Sequence, residues 1–545
     1  MGQKKIHSSP IQKNTSWVVI LILLITILAF SDSISNSFLT NWDDNTYIIN
    51  NPQVKDFSVN GIKNIFSSYQ IGNYHPLTML SYTIEYKLFG LNPKVFHFFN
   101  LLFHLINVWL VFRLMQLLSK RLEIAVIVAV LFAIHPMHVE SVSWIAERKD
   151  VLYSMFYLLS LIFYVRYTLS KYSLQLPTSN LQSRASKHYI VSIAFFTLSL
   201  LSKSMAVTLP VLLILIDYYL ERKFEKKLII DKLPFFLLSI VFGLIAIQSQ
   251  SESGAISLAP QYLLFDRFFI AGHAIITYCF KLILPINLSA MYDYPTKINN
   301  LLPWEYYLSP FIIVILIWAF IKFSSNKKDV IFGITFFLAT ISLVIQFIPF
   351  GRALIADRYT YIPYIGLFFI IGRLYCRIID NEIKLTAKIK PHLKNISIAL
   401  AAILIIMTWQ RNKVWTNGYT LFDDVIKKNP NIGYAYFARA EAEDDMKKYP
   451  EAIADFTESI RLTPEFMDAY LNRGVIKYYI RDHVGAVADF DKAIELSPTN
   501  AAIYMNRAIC KLDLNMRKEA CDDFHKAASM NFESANKMIK KYCPQ

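Results

Sequence analysis

The stretch "EAIADFTESIRLTP", residues 451–464, decides the fold of the C-terminal part of this chain because the chain repeats it in altered form. "GAVADFDKAIELSP" follows at 485–498 and "EACDDFHKAASMN" at 519–531, so the three copies begin at equal intervals. Each copy places small and apolar residues at helical spacing, and a proline ends the first two. A short helix of this kind buries its apolar face only by stacking on its neighbours, which predicts an array of helical repeats.

Other positions keep the same interval. They are Pro430, Pro464 and Pro498; Tyr436, Tyr470 and Tyr504; Ala452, Ala486 and Ala520; and Phe422, Phe456, Phe490 and Phe524. A unit of about 34 residues with small side chains at the helix contacts and a proline after the second helix is the tetratricopeptide signature. We expect a half-repeat linker at 411–430 and about three repeats with a capping helix at 431–545. Such arrays bind peptides or proteins on a concave face, and a folded spacer is the alternative.

The composition of the whole chain indicates a membrane protein. Of 545 residues, 54% are hydrophobic and 18% charged, and the mean hydropathy is +0.36; soluble domains carry about 25% charged residues. The net charge of +15 resides largely in short loops between apolar segments, which fits the positive-inside rule better than a nucleic-acid-binding face. The five cysteines show neither a disulfide framework nor zinc-site spacing.

Residues 1–410 contain twelve apolar segments, beginning with "WVVILILLITILAF" at 17–30, which we interpret as an uncleaved anchor. Four basic loops should be cytoplasmic: 119–121, 221–232, 322–328 and 373–394. All four loops can lie on the cytoplasmic side only if one of the twelve segments does not cross the membrane. Our candidate is 267–285, which holds Arg267, His273 and Lys281 and could lie at the interface or re-enter. The prediction is about eleven spans, with the N-terminus inside and the C-terminus outside.

In this topology residues 31–94 form the first external loop, which contains the motif "NWDDNTYIINNP" at 41–52. A carboxylate such as Asp43 or Asp44 can take a proton from a nucleophilic hydroxyl or coordinate a divalent cation. An ordinary capped turn is the alternative interpretation. His75 lies in the same loop, and we expect its role to be structural.

The segment "ERKD", residues 147–150, stands at the mouth of a span, where charged side chains tend to face a polar cavity. Arg148 and Lys149 could grip a phosphate while Glu147 and Asp150 hold them in place. The alternative is an interfacial belt of snorkelling side chains.

Two further external loops carry cations. Lys203 lies in a very short turn within "LLSKSMA", and Asp357 and Arg358 precede another span. Three loops thus bring cations to the same face as the acidic pair, which suits a lipid-linked substrate with a phosphate leaving group. His135, His138 and Glu140 have the side chains of metal ligands, but their spacing is not that of a zinc motif.

Taken in order, residues 41–52, "HPMHVESVSWIAERKDVLY" (135–153), "LLSKSMAVTLP" (200–210), "DRYTYIP" (357–363) and the repeat tail resemble one family. The chain is similar to the transmembrane and tetratricopeptide-repeat (TMTC) proteins and their bacterial relatives, within the GT-C glycosyltransferase superfamily. The resemblance implies an all-α fold, with a polytopic helical membrane domain followed by a tetratricopeptide-repeat solenoid. It also implies a polyprenyl-phosphate sugar donor and an association with protein O-mannosylation.

The resemblance implies roles for particular residues. The family's acidic motif maps onto Asp43 as base and Asp44 as its supporting neighbour. The candidate donor-phosphate contacts are Arg148, Lys203 and Arg358, and the candidate supporting residues are His75, Glu147 and Asp357. The scheme requires no metal, although a divalent cation at the carboxylate pair stays an alternative.

Two functions of different classes follow. The first is a membrane glycosyltransferase that moves a sugar from a polyprenyl-phosphate donor to a protein or glycan hydroxyl on the outer face. The second is a non-catalytic, membrane-anchored tetratricopeptide adaptor for envelope proteins, which would not need the polar outer-face residues. A transporter is less favoured because the spans lack charges near their middles. We expect the bacterial inner membrane with periplasmic repeats, or the endoplasmic reticulum membrane in a eukaryote.

Overall fold

A computed structural model describes residues 15–172, 179–254, 262–324, 326–345, 347, 354–383 and 390–543. The described residues contain no strand, so every regular element in them is helical. They divide into two compact units, Met1–Phe38 with Thr46–Thr416 and Leu39–Asn45 with Asn417–Gln545. Residue 325 of the predicted cytoplasmic loop 322–328 and residues 384–389 of the predicted cytoplasmic loop 373–394 lie outside the described residues.

The first unit contains seventeen α-helices within the described ranges, and its long helices follow the twelve apolar segments of the sequence. They are α1 Ser16–Phe30, α2 Pro52–Lys55, α3 Val59–Ser67, α4 Pro76–Phe89, α5 Pro93–Ser119, α6 Leu122–Ile134, α7 Val139–Ser143, α8 Arg148–Tyr172, α9 Ser179–Ser202, α10 Leu209–Tyr219, α11 Lys226–Ile230, α12 Leu233–Glu252, α13 Leu264–Ile283, α14 Trp304–Phe323, α15 Lys327–Ile341, α16 Tyr364–Ile379 and α17 Leu393–Val414.

Local sequence sets where several of these helices begin. The Asn92 side chain accepts the N–H of Lys94 at 3.2 Å, and Pro93 occupies the first helical position of α5. Asn51 and Pro52 repeat this arrangement at α2. An Asn cap followed by Pro is favoured because the cap supplies an acceptor and proline lacks the N–H that would go unpaired.

Six described helices are long and apolar enough to cross a membrane, and a seventh span results if α6 and the bent Pro136–Ser143 segment are counted together. The chain is a multi-pass membrane protein. The other long helices do not meet the same test of length, hydropathy and charge. The count of about eleven spans therefore stays a prediction. The segment predicted not to cross, 267–285, coincides with α13, which is not among the six.

The second unit is a solenoid of eight helices within the described ranges. They are α18 Gly418–Lys428, α19 Gly433–Asp445, α20 Tyr449–Leu462, α21 Met467–Tyr479, α22 His483–Leu496, α23 Ala501–Asp513, α24 Arg517–Ser529 and α25 Glu533–Tyr542. The periodic Phe456, Phe490 and Phe524 are buried, as is the periodic alanine of each copy. A Cβ added at Gly474 would come within 2.8 Å of the Phe490 ring, so the helices approach closely there.

Ion pairs recur with the same period as the apolar core. Arg439 forms a two-pronged pair with Asp455, with N–O distances of 2.6 and 2.9 Å, and also contacts Asp423 at 2.9 Å. The equivalent pairs in the later repeats are Arg473 with Asp489 and Arg507 with Asp523. Planar guanidinium–carboxylate contacts of this kind fix the angle between the paired helices as well as adding energy.

A short piece of the first loop, Leu39–Asn45, belongs to the repeat unit rather than to the membrane unit. The Asn41 amide donates to the Ala438 carbonyl at 2.6 Å, and the Thr40 hydroxyl donates to Asp445 at 3.0 Å. The Trp42 ring lies 5.5 Å from that of Phe422. The solenoid therefore contains a strip of chain from the loop that follows the first membrane helix, which its period alone does not reveal.

A disulfide joins Cys521 in α24 to Cys543, just after the capping helix α25. The cysteine pattern of the sequence did not indicate a disulfide, because a single pair separated by 22 residues has no recognisable spacing. The two residues meet because α25 packs back on α24.

Candidate functional site

The acidic pair of the first loop lies in the strip that belongs to the repeat unit. Asp44 is buried, and its Oδ2 accepts the backbone N–H of Leu39 at 2.9 Å, which fixes the turn. Asp43 is only partly buried. The pair therefore divides into one carboxylate that holds the turn and one that is more open. The roles of Asp43 as base and Asp44 as its support stay predictions.

The "ERKD" segment follows a sharp change of chain direction. α6 ends before Pro136, the axes of α6 and the Pro136–Ser143 segment differ by 56°, and α8 begins at Arg148. Glu147 therefore precedes the first residue of α8. A carboxylate at the start of a helix interacts favourably with the unpaired N–H groups there.

Three cations from different parts of the first unit converge on the Glu147 carboxylate. Lys149 Nζ lies 3.2 Å from it, Arg358 Nε 3.2 Å and Lys203 Nζ 3.5 Å. Lys203 comes from the turn between α9 and α10, and Arg358 from the segment before α16. The structure thus brings together Lys203, Arg358 and the 147–150 segment.

Two more carboxylates complete this Glu147 cluster. Asp150 pairs with Lys203 and accepts the Ser141 hydroxyl at 3.2 Å. Glu140 pairs with the Arg358 guanidinium and accepts its backbone N–H at 3.0 Å. Three cations thus face three carboxylates, so the cluster is neutral as it stands.

The cations are not fully enclosed. Side-chain exposure is 9% for Lys149, 13% for Lys203 and 15% for Arg358, whereas Glu147 is 3% exposed. Burial lowers the pKa of Arg358, but Glu140 and Glu147 outweigh it and raise that pKa well above its ordinary value. The guanidinium therefore keeps its charge.

Arg148 lies apart from the cluster and is fully buried. Its guanidinium pairs with Glu85, and it donates to Asn100 Oδ1 and to the Phe96 carbonyl, both at 2.7 Å. A donor-phosphate role for Arg148 stays a prediction, and it would require the guanidinium to exchange Glu85 for the phosphate.

His75 and Asp357 are also buried. Burial, together with the Lys149 charge, lowers the pKa of His75 to about 3, so the ring is neutral and lies 5.2 Å from that of Tyr47. Asp357 accepts the Tyr292 hydroxyl at 2.7 Å and lies 4.0 Å from Arg411. A supporting role for His75 or Asp357 in the reaction stays a prediction. No sequence pattern indicated Tyr292 or Arg411, which are distant along the chain.

The two histidines considered as metal ligands bind backbone carbonyls instead. His135 Nε2 lies 3.1 Å from the Leu282 oxygen, and His138 Nδ1 lies 2.8 Å from the Phe132 oxygen. Within the described ranges no group of three or more histidine, cysteine or acidic side chains could hold a metal ion.

Comparison with known proteins gives sequence relatives of one kind, although no family model matches. A protein O-mannosyl-transferase of Caenorhabditis elegans is 23% identical over 82% of this chain and 64% of its own length. The human protein O-mannosyl-transferase TMTC3 is 23% identical over 71% of this chain and 44% of its own length. Mouse TMTC1 is 32% identical over 26% of this chain and 16% of its own length. The chain thus spans less than two thirds of the length of these relatives.

Two solved structures resemble the chain loosely. The match to ArnT from Cupriavidus metallidurans, bound to undecaprenyl phosphate, covers 90% of this chain and 80% of ArnT, with a TM-score of 0.38 and 10% identity. The match to the oligosaccharyltransferase AglB from Archaeoglobus fulgidus covers 80% of this chain and 59% of AglB, with a TM-score of 0.39 and 13% identity.

The chain is a polytopic helical membrane protein with a tetratricopeptide tail. It is a TMTC-like relative of these O-mannosyl-transferases, as its motifs predict.

Proposed function

We propose that the chain is a membrane glycosyltransferase that transfers a sugar from a polyprenyl-phosphate donor to a hydroxyl of a protein or glycan. The observation that carries the proposal is the convergence of Lys149, Lys203 and Arg358 on Glu147. The three cations are partly exposed, so they can bind a phosphate. When the phosphate departs, their charge is still balanced by the three carboxylates of the cluster. The names of the sequence relatives support the same reaction class, with mannose as the proposed sugar.

In the proposed reaction Asp43 removes the proton from the acceptor hydroxyl as its oxygen attacks the anomeric carbon of the sugar. The bond between that carbon and the phosphate oxygen breaks, and the electron pair leaves with polyprenyl phosphate. Lys203, Arg358 and Lys149 stabilise the negative charge that develops on the leaving phosphate. One displacement of this kind inverts the configuration at the anomeric carbon. Asp44 holds the turn of Asp43, and Glu147 holds the cations.

The test compares transfer of radiolabelled mannose from polyprenyl-phosphate mannose in membranes that carry equal amounts of each variant. Asp43→Asn should abolish transfer, while Asp56→Asn, which changes an exposed carboxylate of the same loop, should not. Full transfer by Asp43→Asn would refute the assignment of the base. The adaptor function would be favoured by a different pair of results. The wild type would transfer no mannose, and envelope proteins would co-purify equally with the wild type and with Asp43→Asn.

The cation cluster is tested by a separate measurement. Native mass spectrometry of the purified chain with undecaprenyl phosphate should show a bound lipid that is lost in Lys203→Met and Arg358→Met. Lys87→Met is the control, because Lys87 lies at the end of α4 and has an exposed side chain. Equal lipid retention in all variants would exclude the cluster as the phosphate site.

We infer that the repeat unit lies in an oxidising compartment, which is the periplasm if the protein is bacterial. The Cys521–Cys543 disulfide supports this orientation because such bonds persist outside the reducing cytosol. A cysteine placed at exposed Glu519 should react with an impermeant maleimide added to intact spheroplasts, above the background of the wild type. Labelling only after lysis would show that the repeat unit lies in the cytoplasm and that the predicted topology is wrong.

A further inference from the structure

The first unit contains a pocket with a volume of about 370 Å³, which lies between the C-terminal halves of α14 and α16 and the start of α15. Its apolar lining includes Leu316 and Phe320 on α14, Val330 on α15, and Ile370 and Leu374 on α16. Ligand pockets in proteins have volumes of about 300–1,000 Å³, so this pocket is large enough to hold part of a ligand.

The polarity of the lining changes along the pocket. Leu316 and Ile370 lie well inside their helices and are apolar. Ser324, Asn326 and Arg377 lie in the last turn of a helix or just outside one. Because a helix rises 1.5 Å per residue, the lining from Ile370 to Arg377 extends about 10 Å along α16. An elongated pocket with one apolar and one polar end matches a ligand with the same division, which is a property of lipids.

Arg373 lines the pocket and is held in place by a buried carboxylate. Its Nε donates to Asp329 Oδ2 at 2.6 Å, and its Nη2 lies 2.5 Å from the same oxygen. Asp329 also accepts the Tyr219 hydroxyl at 3.0 Å and the Asn326 amide at 2.6 Å. The Arg373 side chain is 22% exposed, and its Nη1 has no hydrogen-bond partner among the described residues. A guanidinium that is fixed on one side and open on the other is suited to bind a phosphate.

Arg377 also lines the pocket, about one turn further along the same face of α16. Its Nε lies 3.2 Å from Glu382, whose side chain is 56% exposed. Water screens an ion pair with so exposed a carboxylate, and such pairs contribute little to stability. An anion in the pocket can therefore replace Glu382 at little cost.

The two loops that border the pocket are strongly basic. Residues 322–328 contain three lysines and no acid, and residues 373–394 contain six lysines and arginines against two acids. This distribution predicts the cytoplasmic side of the membrane, where anionic lipids give the surface a negative potential. The charge of the chain around the pocket is therefore complementary to that of an anionic lipid.

We propose that this pocket binds an anionic phospholipid from the leaflet that faces the two basic loops. One acyl chain lies between Leu316 and Ile370, and the headgroup phosphate binds Arg373 and Arg377. A zwitterionic phospholipid has the same acyl chains, but the positive charge of its headgroup lowers the attraction to the two arginines. The bound lipid fills the space between α14 and α16 and stabilises their packing.

Native mass spectrometry of the full-length chain in detergent measures how much phosphatidylglycerol or, separately, phosphatidylcholine with the same acyl chains is retained. We expect the wild type to retain phosphatidylglycerol about fivefold more strongly, since each basic side chain near an anionic headgroup contributes to binding. Arg377→Met should weaken phosphatidylglycerol binding about fivefold, which is about 1 kcal/mol. Arg184→Met is the matched control and should have no effect, because Arg184 is an exposed arginine near the start of α9.

Ala319→Phe is a second test that leaves both arginines in place. Ala319 lines the apolar part of the pocket, so a phenyl ring there should exclude the acyl chain and reduce phosphatidylglycerol retention. Equal retention of the two lipids by the wild type, or unchanged retention in both pocket variants, would overturn the proposal. A lipid-free dimer that dissociates in Ala319→Phe would overturn it in favour of a second copy of the chain.

The lipid proposal and the transferase proposal can fail separately. Arg377 lies in the last turn of α16, whereas Arg358 of the Glu147 cluster precedes the first turn. Phosphatidylglycerol is not a sugar donor, and its retention is measured without any acceptor. A wild type that transfers no mannose would therefore leave the expected lipid result unchanged.

Discussion

Replacing Glu147 with glutamine removes the centre of the cluster while keeping its shape. The carboxylate has Lys149, Lys203 and Arg358 within 3.5 Å and is 3% exposed. Lys203 retains Asp150 and Arg358 retains Glu140, so the substitution leaves one net positive charge. Removing one partner of a buried pair costs about 3–5 kcal/mol. We expect the lower end, about 3 kcal/mol, because two cations keep a carboxylate.

The assay is unfolding of the purified protein in detergent, followed by tryptophan fluorescence. Adding Lys149→Met to Glu147→Gln restores neutrality, so the double variant should recover more than half of the lost stability. Glu305→Gln changes an exposed carboxylate of the same unit and should have no effect. If Glu147→Gln unfolds like the wild type, or if the two substitutions simply add, the buried-charge reasoning is wrong.

Three further outcomes follow from other parts of the structure. Cys521→Ser opens a 22-residue loop and should destabilise the repeat unit by about 3 kcal/mol; unchanged unfolding with and without reductant would contradict this. Because burial depresses the pKa of His75 to about 3, its stabilising contribution is complete above about pH 6.5 and is lost as the pH falls toward 3; His75→Asn should reduce this acid sensitivity in a pH series of melting curves. Gly474→Ala places a methyl group against the Phe490 ring at 2.8 Å and should cost about 1–3 kcal/mol, and chemical unfolding with an unchanged midpoint would show that the helices can separate.

The repeat solenoid could be predicted from the sequence because each repeat packs on its neighbours in the chain, so the same contact residues recur at a fixed interval. Each predicted helix of the tail is present, and the periodic Phe456, Phe490 and Phe524 form the core as expected. The ion pairs Arg439–Asp455, Arg473–Asp489 and Arg507–Asp523, here called the Arg–Asp ladder, have the same period but could not be predicted. Their partners are 16 residues apart, and this spacing indicates a contact only once it is known which helices pack together.

The site could be predicted only in part. Charge in short loops indicated that Lys203 and Arg358 share a face, and the structure joins both to Glu147. The sequence could not distinguish Arg148 from Lys149, because adjacent residues at the start of a helix point in different directions. One turns to Glu85 and the other to Glu147.

The Arg–Asp ladder also makes the solenoid modular. Each arginine reaches the helix that follows it, and Arg439 and Arg507 also reach an acid on the helix before them. At the middle rung Thr457 takes the place of that acid and accepts from Arg473 at 2.9 Å. A block of one whole repeat can therefore be duplicated or deleted, because the helices at each new junction can form the same arginine contacts. Repeat number becomes a quantity that evolution, or an engineer, can alter without redesigning the helix interfaces.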